Sequence, residues 1–296
     1  QEPVARGQRA VAAVMDRVAR AYPLQFVLSL GDSFYNRGVT SVEDPAWEAS
    51  WEEVYSLPAL GKIPWWVTVG DHDHRGNVTA LVQYPSPRWR MPHQWYSFNI
   101  SEPTTGRTVH FVVTDSVGSE AAFGEEVTAS RRFKADLSEE VAGPAVAAEQ
   151  WAWVEEELGR IAATRKPDDV IAVITHRPLA SLVSRGRSEA DYHVVKRMKG
   201  LVEKFGVTLA MNGHDHAMQV FDWEGLRVLG NGVGGFELHT TQLPSCIGEI
   251  CVGDAGGPQA TWHQVAHGCI LHELRGDALL HHFVGTDGRV LHTERM

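Results

Sequence analysis

A chain of 296 residues can bury a large core, and 43% hydrophobic with 22% charged residues is the composition of a folded globular protein. No run of about 18 apolar residues occurs, which excludes a helical membrane span. A net charge of −10 argues against a nucleic-acid partner, which calls for a basic surface.

In chain order, Val11, Val14, Met15 and Val18 form a helical stripe within 8–21, and Phe26–Leu30 reads as the first buried strand. Residues 44–57 carry Trp47, Trp51 and Val54 on one helical side and end before Pro58. Strands are expected at Trp65–Val69, Trp95–Ile100 and Val109–Thr114. Weak periodicity over 118–144 predicts a long mobile loop. Helices follow at 146–162 and 189–205, with strands Val170–Ile174 and Val207–Met211. Beyond His216 come short strands at Met218–Trp223, Leu226–Leu229, Cys269–Leu274, Ala278–Val284 and Val290–Thr293. Residues 231–268 read as Gly-rich and irregular. The pattern predicts one α/β domain over 1–296, a two-sheet β-sandwich flanked by helices.

Four of the buried strands end in metal-ligand chemistry: Gly31-Asp32-Ser33-Phe34-Tyr35, Gly70-Asp71-His72-Asp73-His74, Thr175-His176-Arg177-Pro178 and Asn212-Gly213-His214-Asp215-His216. Carboxyl ends of strands are where α/β sheets bind ligands. A carboxylate at Asp32 can bridge two cations, and Tyr35, three residues on, can turn back to the same centre as a hard phenolate that suits ferric iron. His214 and His216 flank a tight turn, and Asp71 with His176 completes a second metal.

In this order the four segments resemble the calcineurin-like metallophosphoesterases, and most of all the mammalian-type purple acid phosphatases, whose segments read GDNFY, GNHD, GH and GHDH. The resemblance covers nearly the whole chain. It implies that Asp32 bridges the metals and that Tyr35 and His216 bind Fe(III). His176, His214 and Asp71 then hold a second divalent metal (Fe, Zn or Mn), and His72 contacts phosphate and protonates the leaving alcohol. Metal-bound hydroxide is the implied nucleophile, and the implied substrate is a phosphorylated small molecule or phosphoprotein.

Three departures stand out. The family's earliest motif, an Asp closing a strand upstream of the first helix, has no counterpart, so native residues are expected upstream of Gln1. Asp71 replaces an Asn, adding a negative charge that should tighten metal binding and lower the electrophilicity of the site. A rim His becomes Arg185, and this residue and Arg177 are candidates to hold phosphate or equally solvated loop charges. A degenerate, non-catalytic member of the fold is the competing reading, and a diesterase a lesser one.

Three cysteines are too few for a disulfide framework; Cys246 and Cys251 can pair in an oxidising compartment, whereas Cys269 reads as a buried thiol. The sequons at Asn77 and Asn99 fit a secreted or lysosomal glycoprotein. His263 and His267 have i, i+4 spacing without a zincin glutamate, and His281 and His282 alternate across a strand, so neither pair is taken as a site.

Overall fold

The stripe of Val11, Val14, Met15 and Val18 closes into helix α1 (Arg6–Ala21) in the computed structural model, which describes residues 6–123, 142–183 and 189–296. Strand β1 (Val27–Ser29) follows and pairs in parallel with β2 (Trp65–Val67), which pairs with β3 (Trp89–Arg90). The first strand is shorter than the apolar run suggests, because the chain leaves the ladder to build the turn at Gly31 and Asp32, both at positive φ. The expected helix at 44–57 is narrower and partly π-type: Glu53 N–H bonds to Glu48 carbonyl across Glu48–Glu52 before the short α2 (Glu53–Tyr55). The wider turn lets both Trp47 and Trp51 meet Trp89 edge-on, at 4.9 and 5.2 Å between ring centroids.

A seven-stranded sheet forms the centre, ordered β12-β8-β9-β7-β6-β5-β4. Its middle is parallel: β5 (Thr108–Val113), β6 (Val170–Thr175), β7 (Leu209–Asn212) and β9 (Leu226–Asn231). Antiparallel strands flank it: β4 (Tyr96–Ser101), β8 (Met218–Trp223) and β12 (Gln259–Gln264). β6 is buried along its whole length, as a parallel strand covered on both faces must be. Its alternate residues divide the core. Val170, Ala172 and Ile174 face a cluster shared with β1–β3. Ile171 and Val173 face helices α5 (Pro144–Thr164) and α6 (Glu189–Phe205).

Segment 231–268 is not wholly irregular. Cys246 and Cys251 are register partners in a hairpin of β10 (Cys246–Ile247) and β11 (Ile250–Cys251), joined by a disulfide. β12, carrying His263, closes one edge of the large sheet; its exposed, polar residues and a register shift between Ala260 and Trp262 hide the strand in the sequence. A second three-stranded sheet, β13 (Gly268–Arg275), β14 (Ala278–Gly285) and β15 (Val290–Arg295), lies on the same side of the large sheet as β1–β3. Of the expected loop at 118–144, residues Gly118–Phe123 form a 3-10 turn buried through Ala121, and 124–141 lie outside the described residues.

Candidate metal centre

β1 and β2 are neighbours in one sheet and β6 and β7 in another, and the loops after them bring Asp32, Asp71, His176 and His214 together with one potential ligand atom each, all within 4.8 Å of one another. Close backbone approach makes this possible. A Cβ on Gly70 would sit 2.2 Å from both Asp32 N and Asp32 Oδ1. At Gly31, at φ 88°, a Cβ would meet His176 Nδ1 at 2.5 Å. Helix α3 (Asp71–His74) starts directly at the site, so the His72 N–H donates to Asp32 Oδ1 at 2.8 Å.

The imidazoles are oriented by their far nitrogens, as ligating histidines are. His176 Nδ1 donates to the Leu30 carbonyl at 2.7 Å, turning Nε2 to Asp71 Oδ1 at 3.2 Å and Asp32 Oδ2 at 3.3 Å. His216 Nδ1 donates to the Glu237 carbonyl, and its Nε2 meets the Tyr35 hydroxyl at 3.1 Å. That hydroxyl also donates to Asp32 Oδ2 at 3.3 Å. Asp32 therefore stands between two groups of donors. Asp71 Oδ1 also takes His214 Nδ1 at 2.9 Å, while Oδ2 pairs with Arg75 at 3.0 Å. Helix α3 thus supplies its own cation to offset the extra charge of Asp71.

The charge balance is that of a cation site. Burial pushes the carboxyls up, but His176 outweighs it at Asp32, and hydrogen bonds from His176 and His214 outweigh it at Asp71, which lies well below the usual carboxylate range. Burial alone would lower His176; the two carboxylates hold it well above the ordinary imidazole value. An imidazolium here occupies the electrostatic role of a cation. Burial, then Asp32, Asp71 and Asp73, drive the Tyr35 phenol well above its usual value, so ionising it requires a nearby positive charge.

The sequence matches calcineurin-like phosphoesterases over residues 5–218. The chain belongs to that family. Its Asp/His cluster is that of a metal-dependent phosphoester hydrolase. The chain is 33% identical over 238 residues to tartrate-resistant acid phosphatase type 5 of Oryctolagus cuniculus, covering 79% of this chain and 69% of the rabbit protein. Among solved structures, GAP50, described as the anchor in the inner membrane complex of Plasmodium, superposes with a TM-score of 0.76 at 20% identity over 98% of this chain and 84% of its own. A purple acid phosphatase from yellow lupin seeds gives 0.63 at 14% identity, over 99% of this chain and 50% of its own. At these identities the two structures speak for the fold alone.

The phosphoesterase places its other expected residues as follows. His72 lies at the mouth, its ring 4.5 Å from that of Tyr35, with Nδ1 2.8 Å from the Asn36 carbonyl. Arg177 is no solvated loop charge: its side chain is 11% exposed, lies 3.2 Å from Glu120 and 3.6 Å from Asp191, and Nη1 donates to His214 Nε2 at 2.9 Å. Burial, then Arg177, pushes His214 down to about 4. Arg185 lies outside the described residues. Asn77 and Asn99 are exposed; Asn77 also caps helix α4 (Val78–Gln83) by accepting from Ala80 N–H at 3.1 Å.

Three residues escaped the sequence reading. Asp73, fully buried, accepts from the Ser33 and Gly70 amides at 3.0 and 2.9 Å and so fastens two site loops together. Its signal was its place in the first turn of α3, where carboxylates cap. Burial, then Asp32, raises it to about 7. Phe236 stacks on Tyr35 with centroids 4.1 Å apart, from a Gly-rich stretch that carries no local signal. Glu120, buried and raised to about 8, braces Arg177 from the segment expected to be loop.

Proposed function

We propose that the chain hydrolyses phosphate monoesters at a binuclear centre of Fe(III) and a divalent cation, Fe, Zn or Mn. One observation carries this reading: Asp32 Oδ2 lies 3.3 Å from His176 Nε2 and 3.3 Å from the Tyr35 hydroxyl, a shared carboxylate between two donor sets. His176, His214 and Asp71 would hold the divalent ion, Tyr35 and His216 the ferric one, and Asp32 both. Bound cations supply Lewis acidity toward phosphoryl oxygens and lower the pKa of water.

The side chains do the remaining work. His72, with Nδ1 held between the Asn36 carbonyl at 2.8 Å and Arg75 Nη1 at 3.1 Å, would present Nε2 to the leaving oxygen as proton donor. The stacked Tyr35 and Phe236 rings wall one side and limit water. Arg177 steadies His214 from behind and acts as a positioning residue. The substrate is a phosphorylated small molecule or phosphoprotein. The Cys246–Cys251 bond and the exposed sequons at Asn77 and Asn99 support a secreted or lysosomal glycoprotein.

The test is metal content beside turnover of p-nitrophenyl phosphate. Two metals per chain, one of them iron, a visible phenolate-to-iron band and turnover are expected; Tyr35→Phe should abolish the band. Iron-free protein without turnover would overturn the reading. A non-catalytic scaffold is the second reading. Among the described residues only Asp32, Tyr35 and His216 serve the ferric side, against Asp32 and three other residues on the divalent side. It predicts one metal at most.

A further inference from the structure

A neutral imidazole carries a single ring proton, so one nitrogen donates and the other accepts. A nitrogen that ligates a metal is the one without the proton, and the far nitrogen then needs an acceptor for its N–H. His176 and His216 meet this condition, because their far nitrogens face the Leu30 and Glu237 carbonyls. His214 does not. Its far nitrogen, Nε2, faces Arg177 Nη1 at 2.9 Å. A guanidinium offers only N–H donors and keeps its charge, so toward it Nε2 can only accept. The His214 proton therefore sits on Nδ1, aimed at Asp71 Oδ1 at 2.9 Å. A doubly protonated ring would set an N–H against an N–H, and a half-turn of the ring would replace both nitrogens by carbons. Arg177 is anchored from other segments: its backbone N–H donates to Ser116 Oγ at 2.9 Å, and its Nε lies beside Glu120 and Asp191.

We infer that Arg177 latches the divalent half of the centre. Its bond to Nε2 keeps the His214 proton on the nitrogen that a cation would use. Full binding requires Arg177 to release Nε2, so that this nitrogen carries the proton instead. The proton lost from Nδ1 and the one gained at Nε2 balance, with water as the carrier. The ferric half has no such barrier, since His216 already turns its N–H to a carbonyl. The second metal is therefore the weaker one, and Arg177 sets its affinity as a positioning residue. That affinity depends on His214 being a ligand of this half, as proposed above, whereas the place of the proton follows from Arg177 and Asp71 alone.

The experiment takes the whole chain, stripped of metal with a chelator, and uses Zn²⁺ as the probe. Two-bond proton–nitrogen correlation NMR reads the His214 ring, its signals assigned by their loss in His214→Gln. Without metal the proton should be on Nδ1; wherever zinc displaces it, it should appear on Nε2. Calorimetric titration should show a zinc site about tenfold tighter in Arg177→Gln, whose amide oxygen can accept from Nε2. A proton on Nε2 in the metal-free wild type would overturn the inference whatever the zinc affinity, because removing a nearby positive charge by itself tightens cation binding. A zinc-bound His214 with no ring proton, Arg177 still in place, would overturn it as well, and so would unchanged zinc affinity in Arg177→Gln. The wild-type spectra decide the matter even if that variant, with Glu120 and Asp191 left without their cation, does not fold. Neither readout involves iron or turnover, so an inactive chain can still carry the latch and an active phosphatase can lack it.

Discussion

At the scale of single residues, the centre depends on atoms that approach too closely for any side chain to intervene. Gly70 shows this: an added methyl would displace Asp32, whose N and Oδ1 lie 2.2 Å from the Cβ position. Gly70→Ala is expected to abolish metal binding, read as metal per chain, while far-UV circular dichroism stays native. Asp71 brings a charge that an Asn would not, and Arg75 neutralises part of it at 3.0 Å. Asp71→Asn should weaken divalent binding about tenfold, or about 1.4 kcal/mol, and raise turnover; a competitive metal titration with a turnover assay checks both. The residues that converge were legible at this scale, because Asp32, Tyr35, Asp71, His176, His214 and His216 all follow apolar runs. Their supports were not. Phe236 and Glu120 reach the site from segments with no local pattern pointing there.

At the scale of elements, hydrophobic period decided what could be read. Helix α5 buries Trp151, Val154, Leu158 and Ile161 against the large sheet, the face its sequence announces. Trp151, 1% exposed, also donates from Nε1 to the Ser119 carbonyl at 3.1 Å and so ties α5 to the 3-10 turn behind Arg177. Trp151→Ala should cost about 4 kcal/mol, measured by urea unfolding. Elements with a weaker apolar signal were missed. β12 lies at an edge, with mostly exposed residues and a register shift that breaks alternation. The π-type turn at Glu48–Glu52 arises from packing of tryptophan rings, which local propensity does not encode.

At the scale of the whole molecule, burial sets a response to acid. His281 on β14 is fully buried, its Nδ1 2.7 Å from that of His272, and its Nε2 has no hydrogen-bond partner among the described residues. Burial, then the neighbouring His272, holds it well below the ordinary imidazole value. The unfolded chain accepts a proton near pH 6.5 that the folded chain refuses. This stability is therefore complete above about pH 6.5 and is lost progressively as the pH falls below it. Urea midpoints at pH 7.5 and 5.0 should show that loss, and His281→Leu should reduce it. The sequence alone determined the α/β class, the strand-end segments and the polar residue types that meet there, because apolar runs and the polar groups that follow them are local properties. Tertiary structure decided the rest. Only packing could put Asp32 between His176 and Tyr35, set His216 against that phenol, and bury Arg177 among carboxylates. Those are relations between segments up to 181 residues apart, fixed by tertiary packing and backbone approach rather than by any local pattern.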